Sequence, residues 1–473
     1  MRKGNILKRL VLIVMILAVV VGAISCKENA KEFTTNDIIY FIMTDRFYDG
    51  DISNDNYPDV DPDNPTAYHG GDLQGIIQKL DYIESLGVTA IWISPVVDNQ
   101  EYGYHGYWAT DFYSVDEHLG TLEDMKMLVE ECHKRDIKVI LDYVINHTGY
   151  ECDWYETKSD WFNPKTTILN WNDQKQLEKG WLSGLPDFNF DNLEVREFFI
   201  ENALWWIEET DIDGMRLDTV KHVPIDYWTE FSAAIKAEYP DFFFIGEVWH
   251  TSAKYIAKYQ DAGLDSMVNY VLFDAIRMAF SGKNAYNLTF AIRNEDKYQN
   301  PTLNTIFIDN HDNSRFMTYA AYDGELQTKQ ALTFVMSYPA IPVIYYGTEI
   351  AMEGGSDPDN RRDMEWGRVE DNEMYDFYLQ VNEIRADIIK RKLSDFEIIF
   401  NDREYIAYKR FNEKEQIVFI INTANAEKEV SITISDGETK LIDYFTKEEF
   451  VTDDKGVLNI ELDPLRTYAL YKK

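Results

Sequence analysis

The sequence is poor in cysteine and in positive charge. It holds 3 cysteines among 473 residues, and 46 lysines and arginines stand against 83 aspartates and glutamates. The formal net charge of −37 repels nucleic acid and anionic lipid, so neither is an expected partner, whereas a neutral polysaccharide meets no such repulsion. Internal repeats and low-complexity segments are lacking as well. Because 45% of the residues are hydrophobic, we expect a folded core rather than a disordered or purely structural protein.

The N-terminus carries four basic residues, then an apolar run over residues 10–24, then Ser25-Cys26. A run of about 15 residues is short for a bilayer core of about 30 Å, which favours a secretory signal over residues 1–25 rather than a transmembrane anchor. Residues Gly22 to Cys26 resemble a bacterial lipobox, which implies a lipidated Cys26 followed by a polar tether, residues 26–35. We therefore expect a secreted protein, lipid-anchored on the extracytoplasmic side of the cell membrane or outer membrane.

Two further cysteines lie within the chain, Cys132 in a helical pattern and Cys152 in a loop. An exported chain could pair them. The sequence does not give their separation, and two free thiols are the default.

From Ile38 onward, short apolar runs alternate with amphipathic helical patterns such as Leu73–Leu86 and Val195–Glu209. Eight such units over about 350 residues predict an α/β fold, a (β/α)8 TIM barrel. The predicted strands are Ile38–Thr44, Ala90–Ser94, Lys138–Tyr143, Gly214–Leu217, Phe242–Ile245, Met267–Leu272, Thr305–Ile308 and Val343–Tyr346.

Two segments depart from this alternation. Residues 146–191, rich in Trp and Asn, follow the third strand, and we interpret them as a small inserted domain because long loops without structure are uncommon. Beyond the barrel, the runs Glu404–Arg410, Gln416–Asn422 and Glu429–Ile434 predict a C-terminal antiparallel β-sandwich. The barrel is thus predicted over residues 36–145 and 192–391, and the sandwich over residues 392–473.

Ionisable residues follow four of the predicted strands, where barrels of this type carry their reactive groups. A single Asp after a strand is usually a cap or turn former, but four strands that deliver acids beside Arg and His indicate a reactive site. Glycosidic cleavage needs one acid that protonates the leaving oxygen and one carboxylate that faces the anomeric carbon. These ionisable residues are Asp142, His147, Arg216, Asp218, Glu247, Asp309, His311 and Asp312.

Six sequence blocks carry a family resemblance. They are DYVINH at Asp142, LPDF at Leu185, GMRLDTVKH at Gly214, GEVW at Gly246, FIDNHD at Phe307 and IPVIYYGTE at Ile341. In this order, and over nearly the whole chain after the signal, they resemble the α-amylase superfamily of glycoside hydrolases, whose catalytic domain is a (β/α)8 barrel.

The resemblance implies separate roles for three carboxylates. Asp218 would be the nucleophile, Glu247 the general acid/base, and Asp312 the group that stabilises the transition state. Arg216 would keep Asp218 ionised, as an adjacent cation should. The implied sugar contacts are Tyr107 by stacking, His147 and His311 at the cleavage point, Lys221 and Trp249 on the leaving-group side, and Asp357 and Arg361 on the far side.

Calcium is the implied cofactor. The family's structural ion lies between the barrel and the inserted domain, at positions that match Asn146, Asp187 and the backbone carbonyl of His222, all oxygen ligands that calcium prefers. The N-terminal part resembles cyclodextrin glucanotransferases and their amylase relatives, which implies a second site. Three acids and an Asn within residues 49–55 suit a calcium loop, although an acidic turn would look similar. The implied ligands of that site are Asp49, Asp51, Asn54, Asp55, Gly70 and Asp72.

The predicted activity is hydrolysis of internal α-1,4-glucosidic bonds of starch, amylose and maltooligosaccharides by a monomeric α-amylase. Ser183 stands where cyclising enzymes carry an aromatic residue, and the sequence ends at Lys473 without their further β domains, so hydrolysis is favoured over transfer. The LPDF block and the lack of an N-terminal dimerisation domain argue against branch-cutting or cyclodextrin-degrading relatives. The alternatives are an α-glucanotransferase, maltogenic amylase or cyclodextrinase on this scaffold, and a non-catalytic glucan-binding lipoprotein.

Overall fold

The computed structural model describes residues 32–473. The predicted signal peptide, the lipidation site Cys26 and most of the tether lie outside these residues. Phe33–Lys473 pack as one unit. Among the described residues, no helix combines the length and apolar character needed to cross a membrane.

Eight parallel strands form the central sheet, paired in the order β6-β5-β4-β3-β2-β1-β8-β7. A parallel bridge between Val268, after β6, and Thr305, in β7, joins the two ends of this order, so the sheet closes into a barrel as predicted. The residues of these strands are buried, as expected for parallel strands covered by helices. The strands are β1 (Ile39–Ile42), β2 (Ala90–Ile93), β3 (Lys138–Tyr143), β4 (Gly214–Leu217), β5 (Phe243–Gly246), β6 (Ser266–Met267), β7 (Thr305–Ile306) and β8 (Ile341–Tyr345).

Amphipathic helices cover the strands. Helix Leu122–His133 shows why they form: Thr121 and Asp124 make a capping box at its start, and Met125, Leu128, Val129 and Cys132 bury one face. The main helices are Leu73–Gln78, Leu80–Ser85, Leu122–His133, Leu193–Thr210, Ile225–Glu238, Ala253–Asp261, Tyr270–Phe280, Asn287–Arg293, Gly324–Ser337 and Glu373–Lys390.

Two predicted elements differ from the structure. The predicted strand Met267–Leu272 is wrong in its second half, because the Asn269 side chain accepts a hydrogen bond from Leu272 N and starts a helix at Tyr270. The predicted helix Leu73–Leu86 is broken at Lys79. The other barrel strands begin and end within two residues of their predicted limits.

The segment between β3 and helix Leu193–Thr210 is ordered by short elements and bridges. It contains helices Trp154–Thr157 and Gln174–Lys179. Antiparallel bridges pair His147 with Asp187, which brings the two ends of the segment together, and Phe162 with Phe188. A hairpin of Val97–Asn99 with Ala109–Val115 follows β2 and carries Tyr107 toward the same end of the barrel. The residue limits predicted for the individual domains stay a prediction.

The C-terminal strands form two antiparallel layers, in the order β9-β10-β11-β16-β13-β14 and as the pair β12-β15. In β10, Tyr405 and Ala407 face the interior between the layers, whereas Ile406 and Tyr408 belong to the core that also contains the barrel. This confirms the predicted β-sandwich. The strands are β9 (Asp395–Asn401), β10 (Tyr405–Phe411), β11 (Gln416–Asn422), β12 (Lys428–Thr433), β13 (Lys440–Asp443), β14 (Glu449–Val451), β15 (Val457–Leu462) and β16 (Thr467–Lys472).

Within the described residues, Cys132 and Cys152 are both buried free thiols. The default expectation of two unpaired cysteines is therefore met.

Candidate active site

A cleft of about 490 Å³ lies at the carboxyl ends of the barrel strands. Asp218 after β4, Glu247 after β5 and Asp312 beyond β7 all line it. The predicted sugar contacts Tyr107, His147, Lys221, Trp249, His311, Asp357 and Arg361 line the same cleft. Arg216 is buried within β4, two residues before the cleft-lining Asp218. The predicted catalytic and sugar-binding residues are thus brought together in one place.

The turn after β4 sets Asp218 beside Glu247. Asp218 N donates to Tyr143 O, which continues the β3–β4 ladder by one residue. Thr219 then adopts φ 45°, a left-handed conformation that strains a β-branched residue. In this conformation Thr219 N donates to Glu247 Oε2 at 3.0 Å. The strain is located where two strands present their acids.

Arg216 is the centre of the carboxylate cluster. Its Nη1 lies 2.7 Å from Asp218 Oδ1 and 2.9 Å from Asp142 Oδ1, and its Nη2 lies 3.1 Å from Glu247 Oε1. The Arg216 side chain is 1% exposed, so these are charge-assisted bonds shielded from water. One guanidinium therefore contacts three carboxylates.

Asp142 completes this cluster although no role was predicted for it. Its Oδ2 accepts from the Tyr107 hydroxyl at 2.7 Å and from Trp92 Nε1 at 3.1 Å. Asp142 thus links Arg216 to the ring of Tyr107, the residue expected to stack on the sugar. The signal for it was present, because Asp142 opens the DYVINH block at the end of β3.

Burial is the main influence on the pKa of Asp218. Burial raises the pKa of Asp218 to about 8, with further raising by Glu247 and Asp142. Arg216 lowers the pKa of Asp218, as expected, but its single charge is shared among three carboxylates and does not offset their burial. Asp218 therefore keeps its proton up to a higher pH than an ordinary carboxyl group does.

Asp312 lies against His311 and Arg361. Its Oδ2 is 3.3 Å from His311 Nε2 and its Oδ1 is 3.6 Å from Arg361 Nη2. Burial, then Glu247, raises the pKa of Asp312 to about 6. His311 is buried and stacks on Tyr107 with ring centroids 5.2 Å apart, and burial lowers its pKa well below the usual value. A neutral imidazole here can exchange hydrogen bonds with a sugar hydroxyl.

On the opposite side, Lys221 and Trp249 form one wall. Lys221 Nζ donates to Trp249 O at 2.9 Å, and the half-exposed Trp249 ring stacks on Tyr270 at 5.1 Å. The Tyr270 hydroxyl donates to Glu247 Oε1 at 3.1 Å. Tyr270 was missed because its segment was taken for a strand.

The first predicted calcium site contains a buried carboxylate oxygen with no donor. Asp187 is fully buried, and its Oδ2 accepts from Asn163 at 2.8 Å, but its Oδ1 has no hydrogen-bond partner. Asn146 is buried too, and His222 Nδ1 contacts Leu177 O at 3.1 Å, which joins the barrel to the inserted segment. A buried oxygen without a donor fits a cation.

The second predicted site shows the same feature. Asn54 Oδ1 and Asp55 Oδ1 are buried without partners, and a side chain at Gly70 would approach Asp55 Oδ1 to 2.6 Å. Asp49, Asp51 and Asp72 each raise the pKa of Asp55, after burial. Asp72 also caps helix Leu73–Gln78 and accepts from Asn54 Nδ2 at 3.3 Å. In the described part of the chain no three His, Cys, Asp or Glu side chains form a ready metal site, but calcium also takes amide and carbonyl oxygens.

Sequence reasoning missed much of the cleft wall. Aromatic and apolar side chains from the hairpin after β2 and from the inserted segment supply it. Such residues look like ordinary packing residues in the sequence. They are His105, Trp108, Tyr150, Trp171, Leu182 and Leu185.

Comparison with known proteins gives a consistent family. The model of the alpha-amylase catalytic domain matches residues 41–392. A beta/alpha-amylase of Paenibacillus polymyxa is 36% identical over 86% of the chain, which spans 35% of that relative's length. A cyclomaltodextrinase of Thermoanaerobacter pseudethanolicus is 32% identical over 87% of the chain and 74% of the relative.

Solved structures agree with these relatives. An Anoxybacillus alpha-amylase shares 43% identity and a TM-score of 0.87, over 93% of this chain and 98% of the other. A cyclomaltodextrin glucanotransferase with a three-domain distribution, CldA, shares 30% identity and a TM-score of 0.81, over 92% and 99% of the two chains.

Proposed function

The chain belongs to the alpha-amylase family of glycoside hydrolases, and we propose that it hydrolyses internal α-1,4-glucosidic bonds of starch-like glucans with retention of configuration. The observation that carries this proposal is the group of carboxylates bound to Arg216 in one cleft. Asp218 and Glu247 contact Nη1 and Nη2 of the same guanidinium, at 2.7 Å and 3.1 Å. That arrangement suits the separation of about 5 to 5.5 Å used by retaining enzymes.

The residues divide the reaction between them. Asp218 attacks the anomeric carbon while Glu247 gives its proton to the leaving oxygen, which yields a covalent glycosyl-enzyme. Glu247, now ionised, takes a proton from the water that releases the sugar. Positive charge develops on the sugar ring in both steps, and the carboxylates of Asp218 and Asp312 stabilise it.

Calcium is proposed as a structural ion. Asp187, Asn146 and the His222 carbonyl would hold one ion, and the residues around Asn54 and Asp55 a second, since orphaned buried oxygens mark both places. Bound calcium would neutralise these oxygens and tie the inserted segment and the residue 49–72 loop to the barrel.

Location and partners follow from sequence features and stay proposals. Export, a lipid anchor at Cys26 and a monomeric state rest on the sequence alone. Starch, amylose and maltooligosaccharides are the proposed substrates, in keeping with a family that includes an alpha-amylase complexed with acarbose.

Glu247→Gln tests the activity. The variant is expected to lower kcat on amylose by on the order of 10²- to 10⁴-fold, because the general acid is lost, while amylose binding persists. Glu295→Gln is a matched control at a buried glutamate outside the cleft, and we expect it to retain activity. Turnover by Glu247→Gln at the wild-type rate, or products of inverted configuration by NMR, would contradict the proposal.

Glycosyl transfer or cyclodextrin cleavage is the second candidate. Ser183 lines the cleft, but the half-exposed Tyr150 donates its hydroxyl to Ser183 O, so an aromatic ring stands beside that position. A glucanotransferase can also consist of three domains, as CldA does, so the lack of further β domains does not count against transfer. Product profiles from amylose and cyclodextrin separate the candidates, since rings or disproportionated chains without new reducing ends favour transfer.

A further inference from the structure

A second cavity, of about 370 Å³, lies beside the catalytic cleft. Trp171 lines both of them. The Trp171 side chain is 55% exposed, and its ring contacts are an edge-on approach to His222 at 6.1 Å and Lys221 Nζ at 5.9 Å. An indole so placed offers an open face where the two cavities meet.

The second cavity has the chemistry of a sugar site. His250 and Tyr255 stack at 4.2 Å and present aromatic surface, while Asn172 and Glu178 bring an amide and a carboxyl group. Aromatic faces with a few fixed polar groups suit a neutral polyol, whose rings have apolar faces and hydroxyl edges. Its carboxyl and ammonium groups are few, so an ionic ligand is not favoured.

The wall of this cavity is held in place from both sides. Tyr255 donates its hydroxyl to Gln174 Oε1, which joins helix Ala253–Asp261 to helix Gln174–Lys179 of the inserted segment. Gln174 Nε2 also donates to Lys221 O at 3.0 Å. The cavity therefore lies next to Lys221, and its lining residue His250 directly follows Trp249 in the sequence.

From this placement we propose that Trp171 and the second cavity bind further glucose units of the leaving chain, beyond those at Lys221 and Trp249. The inference rests on the proposed function, because it assumes that an α-1,4-glucan occupies the cleft. The two adjoining cavities suit a linear glucan. Such a chain would leave the cleft past Trp249, contact Trp171 and then reach the stacked rings of His250 and Tyr255. The site would make the enzyme prefer long chains over short ones.

Trp171→Ala and His250→Ala test the inference on a maltooligosaccharide series from maltotriose to maltoheptaose. The ratio of kcat/KM for maltoheptaose to that for maltotriose is expected to fall by on the order of tenfold in Trp171→Ala, equivalent to one stacked ring of about 1.4 kcal/mol. A smaller fall is expected in His250→Ala. Phe290→Ala, which removes a 71% exposed ring outside both cavities, should leave the ratio unchanged.

Binding provides an independent readout. In the Glu247→Gln background, which holds sugar without cleaving it, Trp171→Ala should weaken maltoheptaose more than maltotriose, as measured by calorimetry. Equal losses at every chain length, or none, in correctly folded variants would overturn the inference. A wild-type enzyme that cleaves no α-1,4-glucan would instead refute the proposed function.

Discussion

The two acidic regions of this chain handle their like charges in opposite ways. In the catalytic cluster, Asp142, Asp218 and Glu247 gather around the buried Arg216. In the loop that contains Asn54 and Asp55, two buried oxygens have no donor at all. The first region carries its own cation, whereas the second is the region for which we proposed a bound calcium ion.

This difference suits the two regions to different roles. A guanidinium fixed by β4 holds its acids at defined distances and leaves them free to exchange protons. A calcium ion would instead consume the oxygen lone pairs and hold the loop still. The role of an acid-rich segment can therefore be inferred only when the cation that its carboxylates contact is known.

Removing the internal cation is expected to have the largest effect. Arg216→Met leaves buried carboxylates uncompensated and should lower the free energy of unfolding by roughly 3–5 kcal/mol, measured by denaturant titration at neutral pH. The cost should shrink at acid pH, where the carboxyl groups are protonated, and in the double variant with Asp142→Asn.

Arg196→Met is the matched control, because its partners Asp226 and Glu230 are 69% and 46% exposed. We expect that variant to cost less than about 1 kcal/mol. Equal costs for the two arginine variants would mean that Arg216 does not compensate buried charge.

The sequence predicted which acids lie together in the cleft better than it predicted the side chains around them. Asp218 and Glu247 lie directly after barrel strands, in sequence blocks that resemble those of the family. Both the strand pattern and the order of the blocks therefore locate them. Tyr270 and Trp171 were missed. The helix that begins at Tyr270 after the Asn269 cap was taken for part of a strand, and Trp171 reaches the cleft only because the inserted segment folds back over the barrel end. Side chains placed by tertiary packing leave little signal in the local pattern.

Supplying or removing the external cation should have the next largest effect. Excess chelator is expected to lower the melting temperature, because calcium at a free concentration of 100 times its Kd adds about 2.7 kcal/mol to the free energy of unfolding. Asp55→Asn should gain less from calcium than wild type does, yet be at least as stable in chelator, since it removes one of several repelling carboxylates.

Asp63→Asn, at an exposed acid of the same loop outside the predicted ligands, controls for a general change in charge. Calorimetric melting with and without calcium checks all three proteins. An Asp55→Asn variant that responds to calcium as wild type does would remove Asp55 from the ligand set.

The pH dependence of activity should show the smallest effect and the finest detail of the comparison. Asp218 must be ionised to attack, and burial raises its pKa to about 8, so kcat/KM should fall as pH drops from about 8 rather than near the usual carboxyl value of about 4. Asp142→Asn removes a negative charge that raises this pKa and leaves more of Arg216 to Asp218, so the acid limb should move to lower pH by about one unit. Asp98→Asn is the control, because burial also raises the pKa of Asp98, to about 6, but outside the cleft. An equal shift in Asp98→Asn would show that the shift does not depend on the contact of Asp142 with Arg216. An acid limb near pH 4 in wild type would show that Arg216 already compensates Asp218 fully, and that the catalytic cluster holds its acids as firmly ionised as a bound metal would.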